Sequence, residues 1–210
     1  MHIHVADMAA DQLYHILTQT VIPRPVAWVI TDNGAGEGIE RYNLAPFSFF
    51  NAMASDPPML AFAISRKSDG SKKDTWVNLE EQKHCTVHIG NLTQQGDVID
   101  SSAELPHGTS ELLRRPYQLE AAPSGHSSPR LANAPVAFHC TLDHMHPLGK
   151  GTTAVAFCRI DHIFISDALV EKSDNGRITV DAAGVNPIMR LGGRQYASLG
   201  EITEHARPKE

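Results

Sequence analysis

The chain has 210 residues, of which 41% are hydrophobic and 20% are charged. These values are typical of globular domains and exclude disordered and fibrous chains. Lysine and arginine total 18 against 24 aspartate and glutamate residues, so the net charge is near -6 and no nucleic-acid partner is expected. The sequence contains neither a membrane-spanning apolar run nor a signal peptide. We therefore expect a single domain over residues 1–210, located in the cytoplasm without membrane contact.

The first half of the chain carries two short helix patterns between strand patterns. Apolar residues at i, i+3 and i+4 predict an amphipathic first helix, which serves as a lid or packing helix. The second helix takes Asp74 or Thr75 as its N-cap. In chain order, the predicted elements are a helix over 10–20, strands over 26–31, 41–50 and 59–65, a helix over 75–82 and a strand over 85–89.

The second half contains the two longest strand patterns. They cover 135–146 and 152–165, and a glycine-containing connection between them favours a hairpin. Residues 93–128 are rich in Ser, Gly, Pro, His and Glu, so we expect them to leave the main sheet, with short helical stretches around 97–101 and 110–113. Many strands at short spacing with few helices favour an antiparallel barrel over a βαβ sheet.

Motifs of several common functional sites are missing. Three glycines follow the first strand pattern, but no helix pattern comes after them, so they predict a hairpin turn and not a Rossmann phosphate loop. Walker A and Gly-x-Ser-x-Gly patterns are also absent. The three cysteines are widely spaced in apolar stretches, which predicts reduced core thiols. A strand would place His139 on the face opposite His144 and His146, so no metal site is expected in this histidine-rich segment.

One segment, residues 43–58, has an unusual composition for a core strand. It interleaves two amides, two hydroxyls and three prolines with aromatic residues and alanines. Small polar side chains and main-chain groups can therefore approach a flat ligand closely, which favours binding of a planar heteroaromatic molecule. A proline-terminated strand with packed aromatic residues is the alternative explanation.

Two basic segments are candidate anion sites. Lys72-Lys73-Asp74-Thr75 precedes the second predicted helix, so cations, a hydroxyl and unpaired N-terminal amides converge there. The alternative is a simple N-cap beside solvated lysines, because the Asp74 carboxylate opposes an anion. Near the C-terminus, Arg190 and Arg194 flank a Gly-Gly turn. They are candidates for a phosphate or subunit contact, and the alternative is that both arginines are simply solvated.

Three segments together resemble a known family: Pro23 to Val29, Asn43 to Asn51 with Ser55-Asp56-Pro57-Pro58, and Lys73-Asp74-Thr75. They are similar to the flavin reductase-like family of FMN-binding split-barrel proteins, which includes flavoredoxin. The resemblance implies a mainly β fold with minor α, namely a split antiparallel β-barrel with a few short helices. It also implies a homodimer that holds FMN near the subunit interface and receives electrons from NADH, NADPH or a protein redox partner, without a Rossmann domain.

The resemblance also implies where FMN would be bound. The segment 43–55 would surround the isoalloxazine and ribityl chain, and the Lys73 segment would lie at the phosphate. Trp28 would pack near the ring unless it is a structural strand residue, and Arg24 is a weaker candidate for a phosphate or nicotinamide contact. The implied cofactor-binding residues are Asn43, Ala45, Pro46, Ser48, Phe49, Phe50, Asn51, Ser55, Lys73, Asp74, Thr75 and Arg194.

Three functions remain open at this point. The leading one is an FMN-dependent oxidoreductase that takes electrons from NADH or NADPH and passes them to flavin or another acceptor. No catalytic acid or base is expected for it, because hydride transfer to a flavin needs only a donor stacked close to the ring. A flavoredoxin-like electron carrier would lack the nicotinamide activity, and a non-redox split-barrel module would bind a different ligand.

Overall fold

The computed structural model describes residues 1–172, 176–206 and 208. None of the helices in these ranges is long and apolar enough to cross a membrane. The α-helices are α1 (Ala10–Thr20), α2 (Asp74–Gln82), α3 (Gln95–Asp100) and α4 (Ala182–Val185). The strands are β1 (Arg24–Pro25), β2 (Ala27–Asp32), β3 (Tyr42–Phe47), β4 (Phe50–Ser55), β5 (Pro58–Ser65), β6 (His84–Ile89), β7 (Leu119–Glu120), β8 (Arg130–Leu131), β9 (Val136–Leu148), β10 (Thr153–Ile165), β11 (Val170–Lys172), β12 (Ile178–Val180), β13 (Met189–Arg190) and β14 (Tyr196–Ala197).

The main sheet has seven antiparallel strands in the order β3-β2-β6-β9-β10-β5-β4. The Phe47 ring of β3 nevertheless packs on the Phe62 ring of β5, with centroids 5.4 Å apart, although four strands separate β3 from β5 in the sheet. The amide of Ala63 donates to the carbonyl of Phe49 at 2.9 Å and so continues the pairing of β4 with β5. The contact between Phe47 and Phe62 requires the sheet to curl, with β3 and β4 left as its two edges, and the predicted mainly β antiparallel fold is confirmed.

Each face of this curled sheet buries its own apolar cluster. The inner cluster contains the two phenylalanines, Trp76 and Leu79 of α2, and the three cysteines, all of which are buried as predicted. The outer cluster contains Trp28 and Ile30 of β2. Residues 93–128 leave the sheet as predicted, but they fold back over its outer face. The residues that complete the outer cluster from this covering segment and just beyond it are Val98, Leu112, Leu131 and Ala134.

The predicted bounds of most elements agree with the structure. The helix over 10–20 is α1, and the strand over 85–89 lies within β6. The two long strand patterns are β9 and β10, which pair antiparallel from Thr153 opposite Leu148 to Ile165 opposite Val136. The predicted hairpin is therefore confirmed, although the turn is shorter than expected because β9 continues through Pro147 to Leu148.

The strand predicted over 41–50 is wrong at its C-terminal end. β3 ends at Phe47, and β4 begins at Phe50 as a separate strand that pairs with β5 through the Asp56-Pro57 turn. Five of the six residues of β4 are exposed, so its sequence has no apolar alternation by which a strand could be recognised. The Pro57-Pro58 pair was correctly expected to interrupt the chain, but it closes a hairpin.

The predicted N-cap of α2 is also wrong. The N-cap is Lys73, without a side-chain capping bond, and the helix itself begins at Asp74. Thr75 Oγ1 is engaged by the Asn43 side-chain amide at 3.0 Å. The Asp74 carboxylate is engaged by Lys67 and His107. Neither side chain caps the helix, because tertiary hydrogen bonds outcompete the local capping bond that the sequence favours.

Candidate functional site

Two adjoining cavities lie between β3 and the N-terminus of α2. The smaller one, called the polar cavity here, has a volume of about 110 Å³ and is lined by Asn43, Lys67, Lys73 and Thr75 together with residues 101–105. The larger one, called the aromatic cavity, has a volume of about 250 Å³. The two cavities share three lining residues, Pro46, Phe47 and Lys73. A ligand with a polar end and a flat apolar end can therefore occupy both.

The first turn of α2 forms one side of the polar cavity. The first amide with a hydrogen bond to the N-cap carbonyl is that of Trp76, which donates to Lys73 O at 2.9 Å. The amides of Asp74 and Thr75 precede it and thus belong to the donors that a helix leaves unpaired at its N-terminus. The Asn43 side chain holds the Thr75 hydroxyl from β3 at 3.0 Å. Amides, a hydroxyl and the Lys73 ammonium are together the donor set of an anion site.

The Asp74 carboxylate faces a separate set of partners on the same cavity. Its Oδ1 lies 3.2 Å from Lys67 Nζ and 2.7 Å from His107 Nδ1. Its Oδ2 accepts the amide of Gly108 at 3.2 Å. Lys67 also donates to the carbonyl of Leu105 at 2.9 Å. Because these donors compensate its charge, Asp74 opposes an anion in the cavity less than the sequence alone implies.

A second carboxyl, that of Glu111, closes the polar cavity from the opposite side. The residue is only 5% exposed, and its Oε2 accepts the main-chain amide of Leu44 at 3.0 Å. Burial raises the pKa of Glu111 to about 7, with the nearby Asp74 charge acting in the same direction, while the Leu44 amide and Lys67 lower it. Glu111 thus fixes the backbone of β3 and carries a proton in part of its population at neutral pH.

The aromatic cavity is bounded by α1, β3 and β5. Tyr14 of α1 faces Phe49, with ring centroids 6.4 Å apart, and both line the cavity together with Ser48, Ser65 and Thr153. Phe49 remains 44% exposed. α1 therefore borders the aromatic cavity through Tyr14, while Thr18 is its one buried residue. Its role as a lid or packing helix stays a prediction.

The two arginines considered for cofactor contact have different surroundings. Arg24 is buried and donates to the carbonyls of Thr18, Val21 and Leu191 at 2.6, 2.7 and 2.9 Å. Its guanidinium is thus a structural tie between the end of α1 and the C-terminal segment. Arg194 lies exposed in the turn after β13 and lines neither cavity.

The structure brings together eight of the predicted cofactor-binding residues and separates four. Those lining one or both cavities are Asn43, Ala45, Pro46, Ser48, Phe49, Lys73, Asp74 and Thr75. Phe50, Asn51 and Ser55 lie on β4, outside both linings, and Arg194 lies in its turn. The binding roles of all twelve stay predictions.

Sequence reasoning missed several residues of the cavities. The missed residues are Lys67, Ser101, Glu104 and Glu111, none of which belongs to a recognised motif. Trp28 has the structural role that was its alternative. It is fully buried in the outer cluster, and its indole Nε1 donates to Ser101 Oγ at 2.8 Å.

The histidines occupy two different surfaces of the long hairpin. His139 is buried, with its ring centroid 5.8 Å from that of His126, whereas His144 stacks on Phe157 at 4.6 Å. Within the described ranges, His, Cys, Asp and Glu side chains form no group of three arranged to hold a metal ion.

Comparison with known proteins decides the family. The sequence model of the Flavin reductase like domain matches residues 19–179, which is most of the chain. The chain belongs to this family. Among its relatives, the uncharacterized protein YwrF of Bacillus subtilis is 34% identical over 215 aligned positions, which cover 99% of this chain and all of that protein.

Several solved structures are similar to this chain in fold. Nitrilotriacetate monooxygenase component B from Bacillus cereus superposes with a TM-score of 0.87 at 31% identity, covering 98% of both chains. The 2-nitrobenzoate 2-nitroreductase NbaA of Pseudomonas fluorescens superposes with a TM-score of 0.85 at 25% identity, covering 99% of this chain and 96% of that one. A flavin reductase-type protein with a split barrel domain from Shewanella frigidimarina has a TM-score of 0.80 at 15% identity, covers 99% of this chain and 100% of its own, and shows the fold alone. The split-barrel assignment from the sequence is thereby confirmed.

Proposed function

We propose that this protein is an FMN-dependent oxidoreductase that takes electrons from NADH or NADPH and passes them to flavin or another acceptor. The observation that carries the proposal is the pair of adjoining cavities at the N-terminus of α2. One cavity offers donors to an anion and the other offers aromatic surface, which are the requirements of the two ends of FMN.

The polar cavity fits the phosphate end. Lys73 lies beside the unpaired amides of Asp74 and Thr75, and charge-assisted hydrogen bonds from an ammonium and from amides are among the stronger ones in proteins. The Asp74 carboxylate already forms an ion pair with Lys67 and a hydrogen bond with His107. The polar cavity has a volume of about 110 Å³, which is the space of a few water molecules and thus matches one phosphate group.

The aromatic cavity fits the ring end. Tyr14, Phe47 and Phe49 supply apolar faces, while Ser48 and the neighbouring main chain supply polar groups for the edge of a heteroaromatic ring. Phe49 is still substantially exposed, so a bound ring or a second subunit would cover it.

The residues of this chain would bind and orient the cofactor and need not transfer protons. When bound, FMN supplies the electron-accepting chemistry. The first turn of α2 holds the phosphate end and so fixes the position of the ring, and the aromatic walls exclude water from one side of it. A nicotinamide donor needs only to stack against the remaining open face, since proximity and orientation dominate such a transfer.

The proteins of similar structure support this proposal. The relative from Bacillus cereus is described as a monooxygenase component and that from Pseudomonas fluorescens as a nitroreductase, and both are redox proteins of the same fold. We place the reaction in the cytoplasm, because the three buried cysteines are free thiols, which is typical of a reducing compartment.

We also propose that the protein is a homodimer. β4 is an edge strand of the main sheet, and the exposed Phe49 and Met53 lie on or beside it, 44% and 52% accessible to solvent. Unpaired edges and exposed apolar side chains of this kind are usually covered in the assembled protein. Light scattering should give about twice the monomer mass of 22.9 kDa, whereas the monomer mass at micromolar concentration would contradict the dimer.

An absorption spectrum of the purified protein, followed by anaerobic mixing with NADH and then NADPH, tests the function. We expect the visible bands of oxidised flavin after FMN loading, and their bleaching within seconds by one or both nucleotides. Flavin bands without bleaching would indicate an electron carrier with a protein donor. Protein that neither retains nor titrates with FMN would contradict the proposal and leave a non-redox binding module.

A further inference from the structure

We propose that residues 101–111, called the strap here, restrict the cofactor to a flavin mononucleotide and exclude a flavin adenine dinucleotide. The inference rests on the proposed function. The strap belongs to the segment 93–128 that leaves the main sheet, yet it forms the wall of the polar cavity that faces the first turn of α2.

Both ends of the strap are anchored to the outer face of the sheet. At the first end, Ser101 is buried and its hydroxyl accepts the indole Nε1 of Trp28 at 2.8 Å. At the other end, Ser110 Oγ donates to the carbonyl of Tyr42, and Glu111 accepts the amide of Leu44 at 3.0 Å. Breaking a hydrogen bond between buried groups is costly, because it leaves a donor or acceptor unsatisfied. These bonds therefore fix both ends of the strap beside the cavity.

The middle of the strap is tied to the opposite rim. Glu104 Oε1 accepts both the amide and the hydroxyl of Ser68, at 2.7 and 3.1 Å. His107 lies 2.7 Å from the Asp74 carboxylate, and Lys67 donates to the carbonyl of Leu105 at 2.9 Å. These bonds join the strap to the segment 67–74 across the space between the polar cavity and its neighbour.

The space and charge behind the phosphate position both act against a dinucleotide. The cavity has about 110 Å³, whereas sites for molecules of drug size have roughly 300–1,000 Å³, so it cannot hold adenosine beside the phosphate. A neighbouring cavity of about 400 Å³ shares Lys67, Glu104 and Leu105 with it, so adenosine would reach that space only by breaking the bonds that these residues make. The wall also carries the carboxylate of Glu104, which repels a second phosphate. A monophosphate ends before it meets either obstacle.

Fluorescence titrations with FMN, FAD and riboflavin test the strap. In the native protein we expect FAD to bind at least about tenfold more weakly than FMN. The double variant Glu104→Ala with His107→Ala removes the ties to Ser68 and Asp74, and both side chains are exposed, so the fold should persist. We expect it to lower the ratio of the FAD to the FMN dissociation constant by about fivefold or more.

Glu120→Ala is the matched control, since it removes an exposed carboxylate from the same covering segment but outside the strap. It should leave the FAD to FMN ratio unchanged. Equal affinity of the native protein for FMN and FAD would overturn the inference while the proposed function stands. A ratio that stays high in the double variant would overturn the strap as its cause. Failure of all three flavins to bind would overturn both proposals.

Discussion

The two walls of the polar cavity come from regions of very different character. The wall made by β3 and the first turn of α2 contains the motif residues, with donors such as Thr75 and Lys73. The wall made by the strap contains Ser101, Glu104 and Glu111, and it reaches the cavity only because the covering segment folds over the outer face of the sheet. The comparison teaches that the donors for a ligand come from short local motifs. The closing of the cavity depends instead on the outer cluster, which joins residues far apart in the sequence.

The largest expected effect concerns the outer cluster. Leu112 is fully buried in the outer cluster, and its neighbour Leu113 is 55% exposed. Leu112→Ala should lower the free energy of unfolding by about 2–5 kcal/mol, because it leaves a cavity among packed side chains. Leu113→Ala, the control, should change it by less than about 0.5 kcal/mol. Chemical denaturation measures both, and equal effects would mean that the covering segment does not pack as described.

A pH-dependent effect distinguishes the two walls next. The pKa of Glu111 is raised from 4.5 to about 7 in the folded protein, so the folded state retains a proton that the unfolded chain has lost. The free energy of unfolding should therefore fall, relative to that of Glu111→Gln, as pH rises through this window, by on the order of 3 kcal/mol. The difference should be constant above pH 8. Parallel stability curves across this range would contradict the burial of the charge.

Substitution of Lys73 tests the wall made by β3 and the first turn of α2. Lys73→Ala should weaken FMN binding by about 1.5–3 kcal/mol, or roughly ten- to a hundredfold, while riboflavin, which lacks the phosphate, should be unaffected. Lys72→Ala is the control, since the Lys72 ammonium pairs with Glu80 and lies 5.4 Å from the centre of the Trp76 ring. If Lys73→Ala weakens both flavins equally, or neither, the phosphate lies elsewhere and Arg194 becomes the next candidate.

The smallest expected effect lies at the other end of α2. Lys83 ends the helix with a φ of 65°, in the left-handed region that glycine adopts with little strain. Lys83→Gly should raise the free energy of unfolding by about 0.5–1 kcal/mol. It should leave FMN affinity as it is, because only the N-terminal end of α2 faces the cavities. A loss of FMN affinity in this variant would mean that the whole helix, and not its first turn, controls the site.

The sequence predicted the regular elements and one wall of the site, and the reasons are local. Periodicity revealed α1, β9 and β10, and the combined motifs indicated Asn43 and Thr75, which the structure joins by a hydrogen bond. β4 was missed because an exposed edge strand has no apolar alternation.

The strap was missed for a different reason. Its anchors join residues far apart in the sequence, such as Trp28 with Ser101 and Leu44 with Glu111. No local sequence pattern predicts such pairs, because each partner alone is an ordinary strand or loop residue. The same holds for the N-cap of α2, where the side-chain bonds of Asp74 and Thr75 go to distant partners.

The central claim is that the phosphate of FMN binds at the first turn of α2. Nuclear magnetic resonance of the ¹⁵N-labelled protein tests it most directly, through the main-chain amide signals of Asp74 and Thr75. FMN should shift these two signals strongly and riboflavin should not, while both ligands should shift the amides of Phe47 and Phe49 beside the ring. If FMN leaves the Asp74 and Thr75 signals unchanged and moves those around Arg194, the account of the site is wrong.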